Sequence, residues 1–173
     1  MNTKYSPLFS VVIPIFNVAE YIENCLNSVL AQTFKSFEII CVDDGSPDNS
    51  VELIEKIKDD RIRIIRQTNR GLSGARNTGI NASRGTFVAL LDADDLWTPN
   101  KLEAHFKHLQ SDPNIGISYS ASAFIDEKGK ALGIGQHPKL DNISAKDVFC
   151  RNPIGNGSAA VIRKSLLQSV ARA

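Results

Sequence analysis

The sequence predicts an α/β fold: a mostly parallel central sheet with helices on both faces. Two observations carry that prediction. Apolar and β-branched runs at 10–15, 37–42, 62–66 and 86–91 alternate with stretches of helical period, the pattern of βα units. Three of these runs, Val11-Val12-Ile13, Ile39-Ile40-Cys41-Val42 and Phe87-Val88-Ala89-Leu90-Leu91, are apolar almost without a break. Such strands are covered on both faces, so these three are expected at the centre of the sheet.

The first helix is expected over 19–32, with Asn17 as N-cap, Glu20 completing a capping box, and a buried stripe of Tyr21, Ile22, Cys25, Leu26, Val29 and Leu30. Ser46-Pro47 reads as the opening of a second helix carrying Val51, Leu53, Ile54 and Ile57, and Thr98-Pro99 as the opening of another over 101–110. Four residues that favour turns or caps, Gly71, Ser73, Gly74 and Asn77, precede Gly79, which predicts a loop passing into a short helix over 71–83. Further on, 115–126 reads as a strand, 127–130 as a turn with Gly129, and 158–163 as a last strand. No repeat, low-complexity tract or linker interrupts the chain, which predicts one domain over 1–173.

Composition narrows the function. With 173 residues, 42% of them apolar, the chain is long enough to bury a core without disulfides. Cys25, Cys41 and Cys150 are odd in number and show neither C-x-x-C spacing nor neighbouring His, which argues against a disulfide framework or structural zinc and for a reducing cytoplasm. Twenty Lys+Arg against 19 Asp+Glu, with no basic block, argues against a nucleic-acid binder. Residues 1–9 hold no signal-peptide core, and no apolar run approaches the roughly 18 residues of a spanning helix. Neither secretion nor membrane insertion is expected.

Three motifs stand at the C-terminal ends of the central strands, where open α/β sheets place their ligand crevice: Pro14-Ile15-Phe16-Asn17, Asp43-Asp44-Gly45-Ser46 and Asp92-Ala93-Asp94-Asp95. Carboxylates clustered there are costly without partners, so a cation or strong donors between them are implied. Asp92 and Asp94 can turn to one point if the chain bends at Ala93, and Mg²⁺ or Mn²⁺ takes such carboxylates together with substrate phosphates. The alternative is an Asp-rich loop capping the helix at Thr98. A calcium loop counted from Asp92 reaches Glu103 at its twelfth position but fails where Leu96 and Trp97 stand. Asp43 and Asp44 can accept hydrogen bonds from a nucleobase imide or ribose. A dinucleotide fold would also want an acid there, but its Gly-rich turn after the first strand is missing. Arg76 can reach a diphosphate or pair with a strand-end Asp. His105 and His108, three apart, read as a solvated helix face, while His137 and Gly155-Asn156-Gly157-Ser158 are candidates to lie near a sugar.

Five motifs in order, Val11-Val12-Ile13-Pro14-Ile15-Phe16-Asn17, Ser28-Val29-Leu30-Ala31-Gln32-Thr33-Phe34, Val42-Asp43-Asp44-Gly45-Ser46, Asn69-Arg70-Gly71-Leu72-Ser73-Gly74-Ala75-Arg76-Asn77 and Leu91-Asp92-Ala93-Asp94-Asp95, closely resemble the family 2 glycosyltransferases of the GT-A fold. The resemblance spans 10–99 and continues more loosely to about 163. It implies an inverting transferase that moves a sugar from a nucleotide-diphosphate donor, by resemblance a UDP-sugar, to a carbohydrate or lipid-linked acceptor hydroxyl. A divalent Mn²⁺ or Mg²⁺ would assist. By position, Pro14 and Phe16 would line the base pocket, Asp44 with Asp43 beside it would bind the base, and Asn69, Arg76 and Ala93 would lie along the nucleotide. Asp92 would stand near the ribose and metal, and Asp94 would take the metal. Residues 10–99 would form the donor part and 100–173 the start of the acceptor side. The family's usual catalytic base, an acid in a Glu-Asp type motif, is expected beyond Ala173, so the chain resembles a truncated donor-binding half; Asp126, Glu127 and Asp141 are lesser candidates. The family's role implies polysaccharide assembly at the cell surface, with the protein cytoplasmic or at the inner face of the membrane. Apolar surface left uncovered would favour self-association. A non-catalytic nucleotide-sugar module is the alternative. A haloacid-type phosphatase ranks last, because its aspartate pair would follow the first strand and not the fourth.

Overall fold

A computed structural model describes residues 6–127, 129–139, 142–144 and 154–170. Asp141 and Cys150 lie outside the described residues. In chain order the elements are β1 (Phe9–Ile15), α1 (Ile22–Leu30), β2 (Phe37–Asp43), α2 (Ser50–Lys56), β3 (Ile62–Arg66), α3 (Gly71–Ala82), β4 (Phe87–Leu90) and α4 (Lys101–Ser111). They continue with β5 (Ile117–Tyr119), β6 (Ser122–Ile125), β7 (Ala131–Gln136), a 3₁₀ turn at Gly157–Ala159, β8 (Ala160–Arg163) and α5 (Lys164–Val170). Six strands form one sheet in the order β3-β2-β1-β4-β8-β5, and β6 and β7 form a separate hairpin. The pairs β1–β2, β1–β4 and β2–β3 are parallel; β8 runs antiparallel to both β4 and β5. As the apolar runs imply, β2, β1 and β4 are central.

Strand alternation divides the core in two. Val11, Ile13, Ile15, Ile39 and Cys41 pack on one face with Leu26 of α1, Ile54 of α2 and Leu102 of α4. Val12, Ile40, Val42 and Val88 face the other way, against Ala75 of α3 and Leu167 of α5. Helices on both faces follow from this division.

Several local expectations are corrected. Helix α1 starts at Ile22, Tyr21 caps it without a side-chain bond, and no Asn17–Glu20 capping box forms. The amides of Asn17, Val18 and Ala19 are instead bound by Ser46 Oγ, Ser50 Oγ and Asp48 Oδ2 of the next loop, and Asn17 takes φ +56°. For the same reason α2 does not open at Ser46-Pro47: the Ser46 hydroxyl is engaged, and Asp48 accepts the Ser50 N–H at 3.1 Å. The segment 71–83, expected as a loop passing into a short helix, is helical from Gly71 to Ala82, because its small residues let α3 lie directly on β1. A Cβ on Gly79 would overlap Val12 Cγ1, so packing outweighs the poor helix propensity of the segment. The single strand expected over 115–126 is two, β5 and β6, in different sheets. The 127–130 turn does join a hairpin, with Gly129 at φ +76°, and the last strand begins at Ala160 after the 3₁₀ turn.

Candidate functional site

The loops after β1 and β2 are built as one unit. Asp48 Oδ1 accepts from the Ser46 and Ser50 hydroxyls and the Ser50 N–H, while Oδ2 accepts the Ala19 N–H at 2.8 Å. Burial pushes the Asp48 carboxyl up, but these donors outweigh it and hold the group far below the usual carboxylate range. Asp48 does not line the cleft; directly and through Ser46 and Ser50 it ties Asn17, Val18 and Ala19 to the loop after β2. The sequence reading missed it, since a lone Asp in a Ser-rich turn reads as turn chemistry.

Asp43 and Asp44 are both buried, 8% and 3% exposed. Asp43 Oδ1 turns back to the Ser46 N–H at 2.9 Å, so it shapes the turn and does not line the cleft. Asp44 does line it, with Oδ1 held by Gln67 Nε2 at 2.6 Å and by the Arg70 N–H at 2.8 Å.

After β4 the chain turns at Ala93, and Asp95 N–H reaches back to the Asp92 carbonyl at 3.0 Å. Arg76 Nη2 pairs with Asp92 Oδ1 at 2.6 Å, and Arg76 Nε is buried without a partner among the described residues. The ion pair is therefore present, and Arg76 sits behind the cleft wall. Ser158 fastens the loop from the antiparallel side: its Oγ accepts the Asp92 N–H at 2.9 Å, and its carbonyl accepts Trp97 Nε1–H at 3.2 Å. Burial raises the Asp95 carboxyl, opposed by its hydrogen bond with Ser158 and reinforced by Asp94 and Asp92. A Cβ at Gly157 would stand 2.6 Å from Arg76 Nη2 and 3.2 Å from Asp92 Oδ2, so a larger residue there would displace the guanidinium from its present position beside Asp92.

Together the strand ends enclose an open cleft of about 470 Å³. Pro14, Phe16, Asp44, Asn69, Asp92, Ala93 and Asp94 line it, seven of the nine site residues read from the sequence; Asp43 and Arg76 stand behind it. Phe16 and Leu72, 49% and 51% exposed, give it apolar walls. Leu72 lies inside the Asn69–Asn77 motif, whose sequence alone gives it no role. Among the residues held back as candidates, Gly157 and Ser158 buttress the Asp92 loop. His137 is exposed and off the cleft, and Asp126 and Glu127 belong to the β6–β7 turn.

A second cavity, about 490 Å³, opens between α4 and β5 on the other side of the Asp95–Thr98 loop. Here the solvated reading of His105 is overturned: it is 4% exposed. Lys101 Nζ donates to His105 Nε2 at 3.1 Å, to the Ala159 carbonyl and to Ser120 Oγ, and it stands 5.3 Å from the Trp97 ring centre. Burial lowers Lys101 to about 8. Burial together with the Lys101 charge lowers His105 to about 3, so His105 is neutral and its Nδ1–H faces Ser118 Oγ at 2.7 Å. Helical spacing itself places His105 on the buried face of α4, three residues after Leu102 and four before Leu109, with Lys101 one turn earlier on that face.

No group of three or more His, Cys, Asp or Glu side chains arranged to hold a metal occurs among the described residues. A cation carried with a diphosphate needs only one or two carboxylates, the substrate oxygens and water completing its shell. Asp94, exposed on the cleft, fits that requirement; Asp92 already gives one oxygen to Arg76.

The model of the family described as Glycosyl transferase family 2 matches residues 10–170. The chain belongs to that family. An uncharacterized glycosyltransferase of Nostoc sp. is 36% identical over 172 residues, covering 93% of this chain and 52% of its own length. Among solved structures, S. aureus TarS 1–349 in complex with UDP-GlcNAc matches with a TM-score of 0.77 at 22% identity, over 94% of this chain and 47% of that one. The mannosyltransferase PcManGT of Pyrobaculum calidifontis, in complex with GDP-Man and Mn²⁺, matches with a TM-score of 0.71 at 24% identity, over 96% and 47%. The fold is thus that of the GT-A glycosyltransferases, and this family 2 chain spans about half the length of these relatives. No helix among the described residues is long and apolar enough to cross a membrane.

Proposed function

We propose that this family 2 chain carries the donor site of an inverting, metal-assisted glycosyltransferase that uses a nucleotide-diphosphate sugar. The observation that carries the reading is the single cleft in which a buried acceptor, Asp44, and an exposed carboxylate, Asp94, face the same space between apolar walls. Phe16 and Leu72 flank a planar base, Asp44 accepts a base N–H, and Asp92, oriented by Arg76 and Ser158, stands at the ribose. Asp94 with the substrate's diphosphate would hold Mn²⁺ or Mg²⁺. When bound, the metal supplies Lewis-acid stabilisation of the departing diphosphate, worth several kcal/mol. Inversion needs a general base at the acceptor hydroxyl. Neither Asp126 nor Glu127 lines the donor cleft, and the relatives' greater length leaves room for that base elsewhere. The TarS complex with UDP-GlcNAc supports a uridine donor, and the same reading extends to a role in surface polysaccharide assembly at the cytoplasmic side of the membrane.

Calorimetric titration of UDP with and without Mn²⁺ tests the reading. Binding that tightens with Mn²⁺ in the wild type, and no longer does so in Asp94→Ala, is the expected outcome. Nucleotide binding indifferent to both metal and substitution would refute it.

A further inference from the structure

We propose that Gln67, oriented by Thr78, sets the nucleobase that the cleft accepts: it leaves Asp44 one free oxygen and so selects a uracil-type base over guanine. This rests on the nucleotide-binding reading above, and concerns two residues to which neither the sequence motifs nor the family match assigns a role.

The placement follows from the sheet. The β2–β3 register pairs Asp43 with Arg66, which brings Gln67 alongside Asp44, and the Gln67 N–H extends the ladder to the Asp43 carbonyl at 2.9 Å. The Gln67 side chain then bridges two elements. Thr78 of α3 donates its hydroxyl to Gln67 Oε1 at 2.6 Å, and Gln67 Nε2 donates to Asp44 Oδ1 at 2.6 Å. The partners dictate the orientation of the amide, since an ionised carboxylate only accepts and the group facing it must be the NH₂. The Arg70 N–H reaches the same Oδ1 at 2.8 Å. A carboxylate oxygen offers about two lone-pair sites. Oδ1 is therefore filled, while Oδ2 has no partner among the described residues and Asp44 is part of the cleft lining.

A uracil-type ring presents one imide N–H between two carbonyls. Guanine presents two adjacent donors, N1–H and the 2-amino group, which a free carboxylate would accept with both oxygens. With Oδ1 filled, guanine leaves one donor desolvated and unmatched, the costly arrangement for a buried polar group. Asn69 completes the complement to uracil. Its Oδ1 is held by the Gly71 N–H at 3.1 Å, so its NH₂ is the end left to meet a ring carbonyl.

The test is calorimetry of UDP and GDP, each with Mn²⁺, on the full chain as wild type, Gln67→Leu, Thr78→Ser and Thr78→Val. Wild type is expected to prefer UDP by about tenfold or more. Gln67→Leu, which opens one of the two lone-pair sites on Oδ1 while the Arg70 N–H keeps the other, narrows that preference to about threefold or less, Thr78→Val narrows it partly, and Thr78→Ser preserves it. Should Gln67→Leu fail to fold, the two Thr78 variants carry the same comparison. A merely structural Gln67 would lower both affinities by one factor and leave the ratio intact, which overturns the inference. Wild type binding GDP as tightly as UDP overturns it too, with the nucleotide site left standing. Binding of neither nucleotide overturns the underlying reading, and the inference with it.

Discussion

The aspartates at the end of β2 and those after β4 reach one cleft, through Asp44 on one side and Asp92 and Asp94 on the other, but the two groups are held in different ways. Asp43 and Asp44 are buried and bound by neutral donors: backbone amides and the Gln67 side chain. Asp92 is bound by a guanidinium, Asp94 is exposed, and Asp95 is half-buried with its carboxyl pushed upward. Neutral donors fix an acceptor in direction without neutralising it, which suits recognition of a base. An exposed carboxylate next to a paired one keeps its charge available, which suits a cation brought in with its substrate.

Substitutions can break that division of labour. The largest effect is expected from Asp94→Ala, which should lower UDP affinity in Mn²⁺ by about a hundredfold through loss of the carboxylate that holds the metal on the diphosphate, while leaving metal-free binding nearly unchanged in the same titration. Asp44→Ala should weaken UDP by about tenfold with and without metal; a loss confined to the Mn²⁺ titration would erase the distinction between the two clusters. Asp48→Ala removes the acceptor shared by two loops, and urea unfolding should show a loss of about 2 kcal/mol. A further effect concerns pH. His105 is held near 3 against an ordinary 6.5, so between those values the unfolded chain binds a proton that the folded chain refuses. Stability therefore falls as pH drops from 6.5 towards 3, and His105→Gln should flatten that fall in urea titrations between pH 7 and 4.

Much of this architecture was legible in the sequence because it depends on short-range pattern. Continuous apolar runs marked β1, β2 and β4 as central, and the strand-end position of Pro14, Phe16, Asp44, Asp92 and Asp94 placed them at one crevice. What escaped depends on contacts distant in sequence. The start of α1 is decided by Asp48, 29 residues from the Ala19 amide it binds. The first turns of α3 read as a loop because glycines are poor helix formers, and only the surface of β1 shows why Gly79 is needed. Gln67 and Thr78 gave no motif signal; the strand register and the helix together bring them to Asp44.

The most direct test of the central claim, that the ends of β1, β2 and β4 form one nucleotide-diphosphate site, is a crystal structure with UDP and Mn²⁺. The account predicts the base between Phe16 and Leu72 with its imide on Asp44 Oδ2, and the diphosphate and metal at Asp94. Nucleotide seated instead in the cavity beside Lys101 and His105, with the β1–β2–β4 cleft empty, would contradict it.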